Sequence, residues 1–319
     1  MHGPEPVYLV GPTAVGKTAA ALAVADRFPL EIAERPALEV VSADSMQVYR
    51  GLDILSAKPS PDERARVPHH LIDVLDVTEP FSAAEFKRLA DAAIAAIRDR
   101  GRLPLVVGGT GLYIKALADG IFDGPEASSE IRSRLLAEAE ASGVENLHAR
   151  LAEVDPKAAA RIARHDLRRI VRALEVFETT GRPISEQQTE WARPKPCLML
   201  GLRMPRAALY RRIDERVDAM FDAGVVEEVE RLVEAGIERS PTAMQAIGVA
   251  AIIGLLRGER PLDEAKRTIK AQTRRYAKRQ LTWFRKDPRI TWCDVASDGS
   301  HVAALANTIE SHVRPSQAP

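Results

Sequence analysis

Eight consecutive residues, Gly11-Pro12-Thr13-Ala14-Val15-Gly16-Lys17-Thr18, have the spacing G-x-x-x-x-G-K-[ST]. Glycines in such a loop let the backbone curl, so that successive N–H groups point inward at an anion. The helix that follows adds partial positive charge at its N-terminus. Lys17 supplies a full charge, and the Thr18 hydroxyl can ligate a magnesium ion. Together these groups bind a polyphosphate or a diphosphate. The loop does not say which: a nucleotide kinase, an NTPase and a transferase that expels diphosphate would all use it. The bland alternative is a strand–helix turn with no ligand.

Asp44 follows the expected strand Leu38–Ala43 and so stands at the carboxyl end of a buried strand, the ligand edge of an open α/β sheet. A carboxylate there can hold a metal, act as a base, or cap the next helix. Gln47, three residues on, could read a base edge, because its amide both donates and accepts. A third apolar run, Leu103-Pro104-Leu105-Val106-Val107, leads into Gly108-Gly109-Thr110-Gly111. A mechanical NTPase would carry an acidic metal ligand at that point, so its absence counts against an ATPase. Thr110 and the turn's amides are candidates for the same phosphate site; a tight turn into a helix is the alternative.

Ala265–Lys286 holds basic residues at 266, 267, 270, 274, 275, 278, 279, 285 and 286 and no acidic one. On a helix Arg267, Lys270, Arg274 and Lys278 form one stripe, which Arg275 and Arg279 widen. A charge run is usually a solvated face. In a chain whose 45 Lys+Arg balance 45 Asp+Glu, the lack of compensating acid in this stretch favours contact with nucleic-acid phosphates. A second cluster joins His165, Arg168, Arg169 and Arg172, with Arg132 earlier in the same region. Tyr276, Trp283 and Phe284 read as core packing rather than base-stacking platforms.

The elements that must position these groups alternate at first. Strands are expected at Val7–Gly11, Leu38–Ala43 and Leu103–Gly108, and helices at Lys17–Phe28 and Ser82–Arg100, the latter with a capping box from Ser82 and Glu85. Asp44 to about His70 reads as a long polar loop, functional or mobile, with His70–Leu75 as a short extended piece. From about Phe122 to Lys195 only helices are expected: Ser129–Ala141, Asn146–Val154, Pro156–Ala163 and Asp166–Thr179. A strand returns at Cys197–Leu202. Helices follow at Arg206–Ala223, Val225–Ala235, Thr242–Leu256 and Asp263–Lys286, then a strand at Ile290–Val295 and a helix at His301–Val313. The expected fold is an α/β P-loop NTPase-like core, a parallel sheet flanked by helices, formed by residues 1–121 and 197–319, with 122–196 as an all-helical insertion domain.

The 319 residues can bury one large core, or one core and a smaller module. The two cysteines, Cys197 and Cys293, make no disulfide framework, and no run is long enough to span a membrane, so a cytoplasmic chain with reduced thiols is expected.

Taken together the segments resemble the bacterial tRNA dimethylallyltransferase (tRNA isopentenyltransferase) family. The matching stretches are GPTAVGKT at Gly11–Thr18, DSMQVYRGLDI at Asp44–Ile54, AKP at Ala57–Pro59, HHLID at His69–Asp73, GGTGLYIKAL at Gly108–Leu117, and RRIVRALEV at Arg168–Val176. RIDERVDAM at Arg212–Met220, AMQAIG at Ala243–Gly248 and TRRYAKRQLTWFRK at Thr273–Lys286 complete the ordered set. Two departures stand out: Leu55-Ser56 where the family usually has Gly-Thr, and Val249-Ala250 where it often has Tyr-Lys.

The resemblance implies transfer of a dimethylallyl group from dimethylallyl diphosphate, with Mg²⁺, to the exocyclic amine of the adenosine 3′ to the anticodon, in tRNAs reading codons that begin with U. It implies Asp44 as general base, Lys17 and Arg216 on the leaving diphosphate, and Thr110 on the diphosphate or the amine. It places the tRNA anticodon stem-loop against Asp44, Ser45, Met46, Gln47, Thr110, Arg132, Arg168, Arg169, Arg172, Gln245, Arg274, Lys278, Arg279 and Gln280, the insertion domain included; a monomer is expected, though the sequence does not give the oligomeric state. The rival readings are an adenylate isopentenyltransferase acting on free nucleotide, a small-molecule P-loop kinase, and a non-catalytic RNA-binding protein that uses nucleotide as a switch.

Overall fold

The structure, a computed structural model, describes residues 4–27, 38–122, 124–125, 128–188 and 194–313. Among the described residues six strands form one sheet: β1 (Val7–Val10), β2 (Leu38–Ala43), β3 (His69–His70), β4 (Leu103–Gly108), β5 (Met199–Arg203) and β6 (Ile290–Asp294). Their order is β3-β2-β4-β1-β5-β6 and every pairing is parallel. Parallel strands covered on both faces read as continuous apolar runs, as VYLV and LPLVVG do here. Register decides what meets at the sheet's edge. Gly108 pairs with Val10 on one side and with Ala43 on the other. The loop after β1, Asp44 after β2 and the Gly109-Thr110 turn after β4 therefore leave the sheet side by side.

Residues up to Ala118 together with those from Pro196 onward form one compact unit, and Asp119–Lys195 forms a second. The first unit carries α1 (Lys17–Ala25), α2 (Pro61–Arg66), α3 (Ala83–Asp99) and α4 (Gly111–Asp119). Among its described residues the second has helices and no strand, with α5 (Ser129–Ser142), α6 (Val144–Val154), α7 (Pro156–Ala159), α8 (Leu167–Thr180) and α9 (Ile184–Gln187) around Leu135, Leu147, Leu151, Ile170 and Leu174. The chain then returns to the first unit for α10 (Arg206–Asp222), α11 (Val225–Glu234), α12 (Val249–Leu256), α13 (Leu262–Phe284) and α14 (Ser300–Val313). The two faces of the sheet have separate cores. Val7, Leu9, Val40, Leu105 and Val107 pack with α1, α10 and α14, while Tyr8, Val10, Val41 and Val106 pack with α3, α11 and α12.

Several local expectations differ from what the chain does. The stretch read as one polar loop after Asp44 contains α2, and the capping box lies there: Ser60 Oγ accepts from the Glu63 N–H at 3.2 Å and Glu63 accepts from the Ser60 N–H at 2.8 Å. At Ser82 only half of that motif forms, because the Glu85 carboxylate turns to Arg88 instead. The helix expected over Thr242–Leu256 is split into a 3-10 turn at Ala243–Gln245 and α12, since Gly248 adopts φ 110° and a Cβ there would lie 2.8 Å from Leu55.

The segment between β2 and β3 is also held rather than loose. Glu228 of α11, 2% exposed, accepts the backbone N–H groups of Asp53, Ile54 and Leu55 at 2.9, 2.7 and 3.0 Å. The Lys58 ammonium, almost wholly buried, donates to Asp53, Asp73 and the Tyr49 carbonyl. A buried carboxylate and a buried ammonium, each with a full set of partners, replace the missing secondary structure.

Candidate active site

Register brings three loops to one place, and a cavity of about 370 Å³ opens among them. Of the residues singled out in the sequence, Thr13, Ala14, Gly16, Lys17, Thr18, Asp44, Gln47, Arg216 and Gln280 line it. Gly11, Pro12 and Val15 build the loop beneath. Ala14 holds a left-handed backbone at φ 64°, a strain that recurs where a backbone must wrap a ligand.

Lys17 Nζ donates to the carbonyls of Gly11 and Pro12 at 3.0 and 2.8 Å. Burial pushes its ammonium down to about 8; Asp44 opposes the shift and Arg216 adds to it. Arg216, from α10, donates to Thr13 Oγ1 at 3.3 Å, and burial lowers its pKa against the pull of Asp44. Two desolvated cations and one carboxylate thus face one cavity, the setting in which charge interactions are strongest.

Asp44 caps the turn that follows it: Oδ1 accepts the N–H groups of Met46 at 2.9 Å and Gln47 at 3.4 Å. Capping and a chemical role are compatible, since no described hydrogen bond falls on Oδ2. Gln47 is used internally, its Oε1 accepting from Ser42 and its Nε2 donating to the carbonyls of Ser56 and Ala57. Thr110 sits beside Asp44, with Oγ1 accepting the Ser45 N–H at 3.3 Å.

Sequence reasoning missed five side chains here. Arg212, one helical turn before Arg216, lines the cavity with its guanidinium over the phosphate loop near Gly16. Its spacing of four from Arg216 was the available signal. Tyr276, read as core packing, lines the cavity instead, its hydroxyl next to Thr110 and Gln280; burial, then Asp44, pushes its pKa up to about 12, so it stays a phenol at neutral pH. Lys58, Ser56 and His69 line it as well. Ser56 is one of the two residues of the first departure; its partner Leu55 packs in the core.

The basic residues fall into different situations. On α13, Lys278, Arg275 and Arg279 are exposed. Arg274 and Lys270 pair with Asp214 and Asp218 of α10. The compensating acid absent from this stretch of sequence therefore comes from a neighbouring helix. In the helical unit Arg132 and Arg172 converge on Glu175, which is wholly buried and also accepts the Ser128 N–H at 2.8 Å. Arg169 pairs with Asp166 at 3.4 Å, and Arg168 stands beside it on the first turn of α8. Gln245 is exposed in the 3-10 turn, bonded to the Pro241 carbonyl at 2.7 Å, and does not line the cavity.

Among the described residues no helix is long and apolar enough to cross a membrane.

The IPP transferase family model matches residues 47–287. The chain is 49% identical over 303 residues to the tRNA dimethylallyltransferase of Geobacter sulfurreducens, covering 94% of this chain and 95% of that one. It is 53% identical over 295 residues to the tRNA dimethylallyltransferase of Symbiobacterium thermophilum, at 91% and 89% coverage. Its fold is similar to the crystal structure of a tRNA isopentenylpyrophosphate transferase from Bacillus halodurans, with a TM-score of 0.70, 42% identity and 97% and 96% of the chains covered. It is also similar to a eukaryotic dimethylallyltransferase whose structures show it acting on tRNA, with a TM-score of 0.78, 26% identity and coverage of 99% and 81%. Matched by the family model over most of its length and about half identical to these bacterial relatives along almost their entire chains, the protein belongs to the IPP transferase family.

Proposed function

We propose that the chain transfers a dimethylallyl group from dimethylallyl diphosphate to the exocyclic N6 amine of the adenosine 3′ to the anticodon, in tRNAs that read codons beginning with U. The observation that carries this reading is the convergence of Lys17, Arg212 and Arg216 with Asp44 on one cavity, while β4 exits in Gly-Gly-Thr rather than in an acid.

In this mechanism the diphosphate lies in the phosphate loop against Lys17, Arg216 and Arg212. The adenine is turned out of its stack so that N6 approaches the allylic carbon. The N6–C bond forms, the C–O bond to the diphosphate breaks, and the electron pair leaves with the diphosphate. Charge grows on the leaving oxygen, so the two desolvated cations stabilise the transition state more than the ground state. Asp44 accepts the proton that N6 loses; a positioned base contributes about 10²–10⁴-fold. Thr110, beside Asp44, orients the amine. Among the described residues no group of three His, Cys, Asp or Glu side chains could hold a metal alone. The Thr18 hydroxyl, with phosphate oxygens and water, is the hard and sparse ligand set that magnesium prefers, and the ion would neutralise diphosphate charge. The exposed α13 cations Lys278 and Arg279 meet RNA phosphates, and within the helical unit the basic first turn of α8 offers charges of the same kind.

The test is label transfer from radiolabelled dimethylallyl diphosphate, with magnesium, to unmodified tRNA or to AMP. Label in tRNA that disappears in Asp44→Ala supports the reading. Label in AMP alone favours a free-nucleotide prenyltransferase, and no transfer with ATP bound instead favours a kinase.

A further inference from the structure

We infer that Gln280 is a positioning residue that sets the distance between the wall gripping the diphosphate and the wall presenting the amine. The inference rests on the prenyl-transfer reading above. Gln280 is 6% exposed, and its carboxamide bridges two loops far apart in the chain. Oε1 accepts the Thr13 N–H at 2.8 Å and Nε2 donates to the Gly109 carbonyl at 2.9 Å. The partners fix the amide's orientation, because a backbone N–H only donates and a carbonyl only accepts.

Each contact continues into the site. Thr13 Oγ1 takes the Arg216 guanidinium at 3.3 Å, on the diphosphate side. Gly109 precedes Thr110, whose Oγ1 accepts the Ser45 N–H at 3.3 Å, next to Asp44 on the amine side. One turn earlier on α13, Tyr276 adjoins both Thr110 and Gln280. A single carboxamide therefore spans from the group that holds the leaving end to the turn that carries the base side. The fit leaves no slack: a Cβ on Gly109 would lie 2.2 Å from Gln280 Nε2. Displacement needs the reacting atoms about 3–3.5 Å apart, and an error of about 1 Å costs about 10²-fold. A residue buried this deeply, with its carbonyl and an N–H committed to main chain, acts through those loops rather than by reading RNA.

The experiment compares the full-length wild type with Q280A, Q280E and G109A, measuring kcat and KM for tRNA and for dimethylallyl diphosphate. Q280A is expected to lose about 10²-fold in kcat with both KM values changed only a few-fold. In Q280E an ionised carboxylate keeps the Thr13 bond but sets an oxygen against the Gly109 carbonyl, and protonation restores the lost donor. Burial raises that carboxyl's pKa. The ratio of Q280E to wild-type kcat should therefore climb as pH falls from about 8 to about 6, a signature that loss of packing alone would not give. G109A should resemble Q280A, and the double variant G109A/Q280A should be no worse than G109A, because removing the side chain removes the clash. If Q280A does not fold, the Q280E pH ratio and the G109A pair carry the same test. A KM for tRNA raised tenfold or more in Q280A, with kcat unchanged, would overturn the inference and make Gln280 an RNA contact. Unchanged kinetics in Q280A would also overturn it. A wild type that transfers no prenyl group to tRNA is a different failure, of the underlying reading.

Discussion

Replacing Lys17 by Met should destroy turnover and yet stabilise the folded chain near neutral pH. The ammonium that an unfolded chain would hold at 10.5 is pushed down to about 8 by burial. A difference of that size corresponds to about 3.5 kcal/mol of unfavourable burial, taken at about 1.4 kcal/mol per pH unit. Solvent reaches Lys17 through the cavity, so this is an upper bound. Against it stand the two hydrogen bonds to the carbonyls of Gly11 and Pro12, worth about 1 kcal/mol each and absent in the Met variant. The balance is a gain of at most about 1.5 kcal/mol for K17M.

The pH dependence follows from the sign of the shift. A lysine whose folded pKa is depressed destabilises fully below about 8, and the penalty fades as pH rises toward the unfolded value of 10.5. K17M should therefore lose its advantage over the wild type between those values. Urea unfolding at pH 7.5 and at about 10, in parallel with label transfer, reads both effects. In the wild type, kcat/KM for the diphosphate should fall above pH 8, where free enzyme loses the Lys17 charge, while kcat holds, since bound diphosphate keeps the proton on. A K17M protein less stable than the wild type at pH 7.5, by an amount independent of pH, would refute the argument: the ammonium would then be adequately solvated by its carbonyls.

Asp44→Asn should keep the capping bonds to Met46 and Gln47 and lower kcat by about 10²–10⁴-fold with little change in unfolding midpoint; a loss of stability that accounts for the lost activity would argue for capping alone. Glu228→Ala leaves three backbone N–H groups of residues 53–55 without their acceptor, a cost of about 3 kcal/mol or more, read as a lower urea midpoint and faster proteolysis of that segment. In Glu39, burial raises the pKa, but hydrogen bonds from Arg100, His70 and Arg102 outweigh it and hold the carboxyl at about 2. Its contribution is complete above the unfolded value of 4.5 and is lost as pH falls toward 2. Glu39→Gln should therefore be less stable than the wild type at pH 6, and the gap should close through that window of acid titration.

Much of this protein was legible in its residues taken in order. Contiguous apolar runs announced buried strands at Val7–Gly11, Leu103–Gly108 and Cys197–Leu202, because a parallel strand covered on both faces is largely apolar; Leu38–Ala43 departs from this with Glu39, buried and paired. The phosphate loop was legible because its physics is local: eight successive residues and the helix after them make the anion site. Asp44 and Thr110 could be nominated because each follows such a strand directly. The ordered motifs also carried the family resemblance, since they depend on sequence alone.

What the chain order does not contain is which strands are neighbours, and tertiary structure settled the rest through that. Only the pairing of Gly108 with both Val10 and Ala43 puts Thr110 and Asp44 beside the phosphate loop. Tyr276 and Arg212 became site residues, and Asp214 and Asp218 became partners of the basic stripe, through the packing of α13 and α10 in the first unit. Glu228 lies 173 residues from the backbone it caps, and Gln280 lies 267 from Thr13. A hydrogen bond or an ion pair acts over a few ångströms of space and is indifferent to separation along the chain. A side chain's local pattern can therefore show that it is on a helix, but not which distant backbone group that helix will bring within reach.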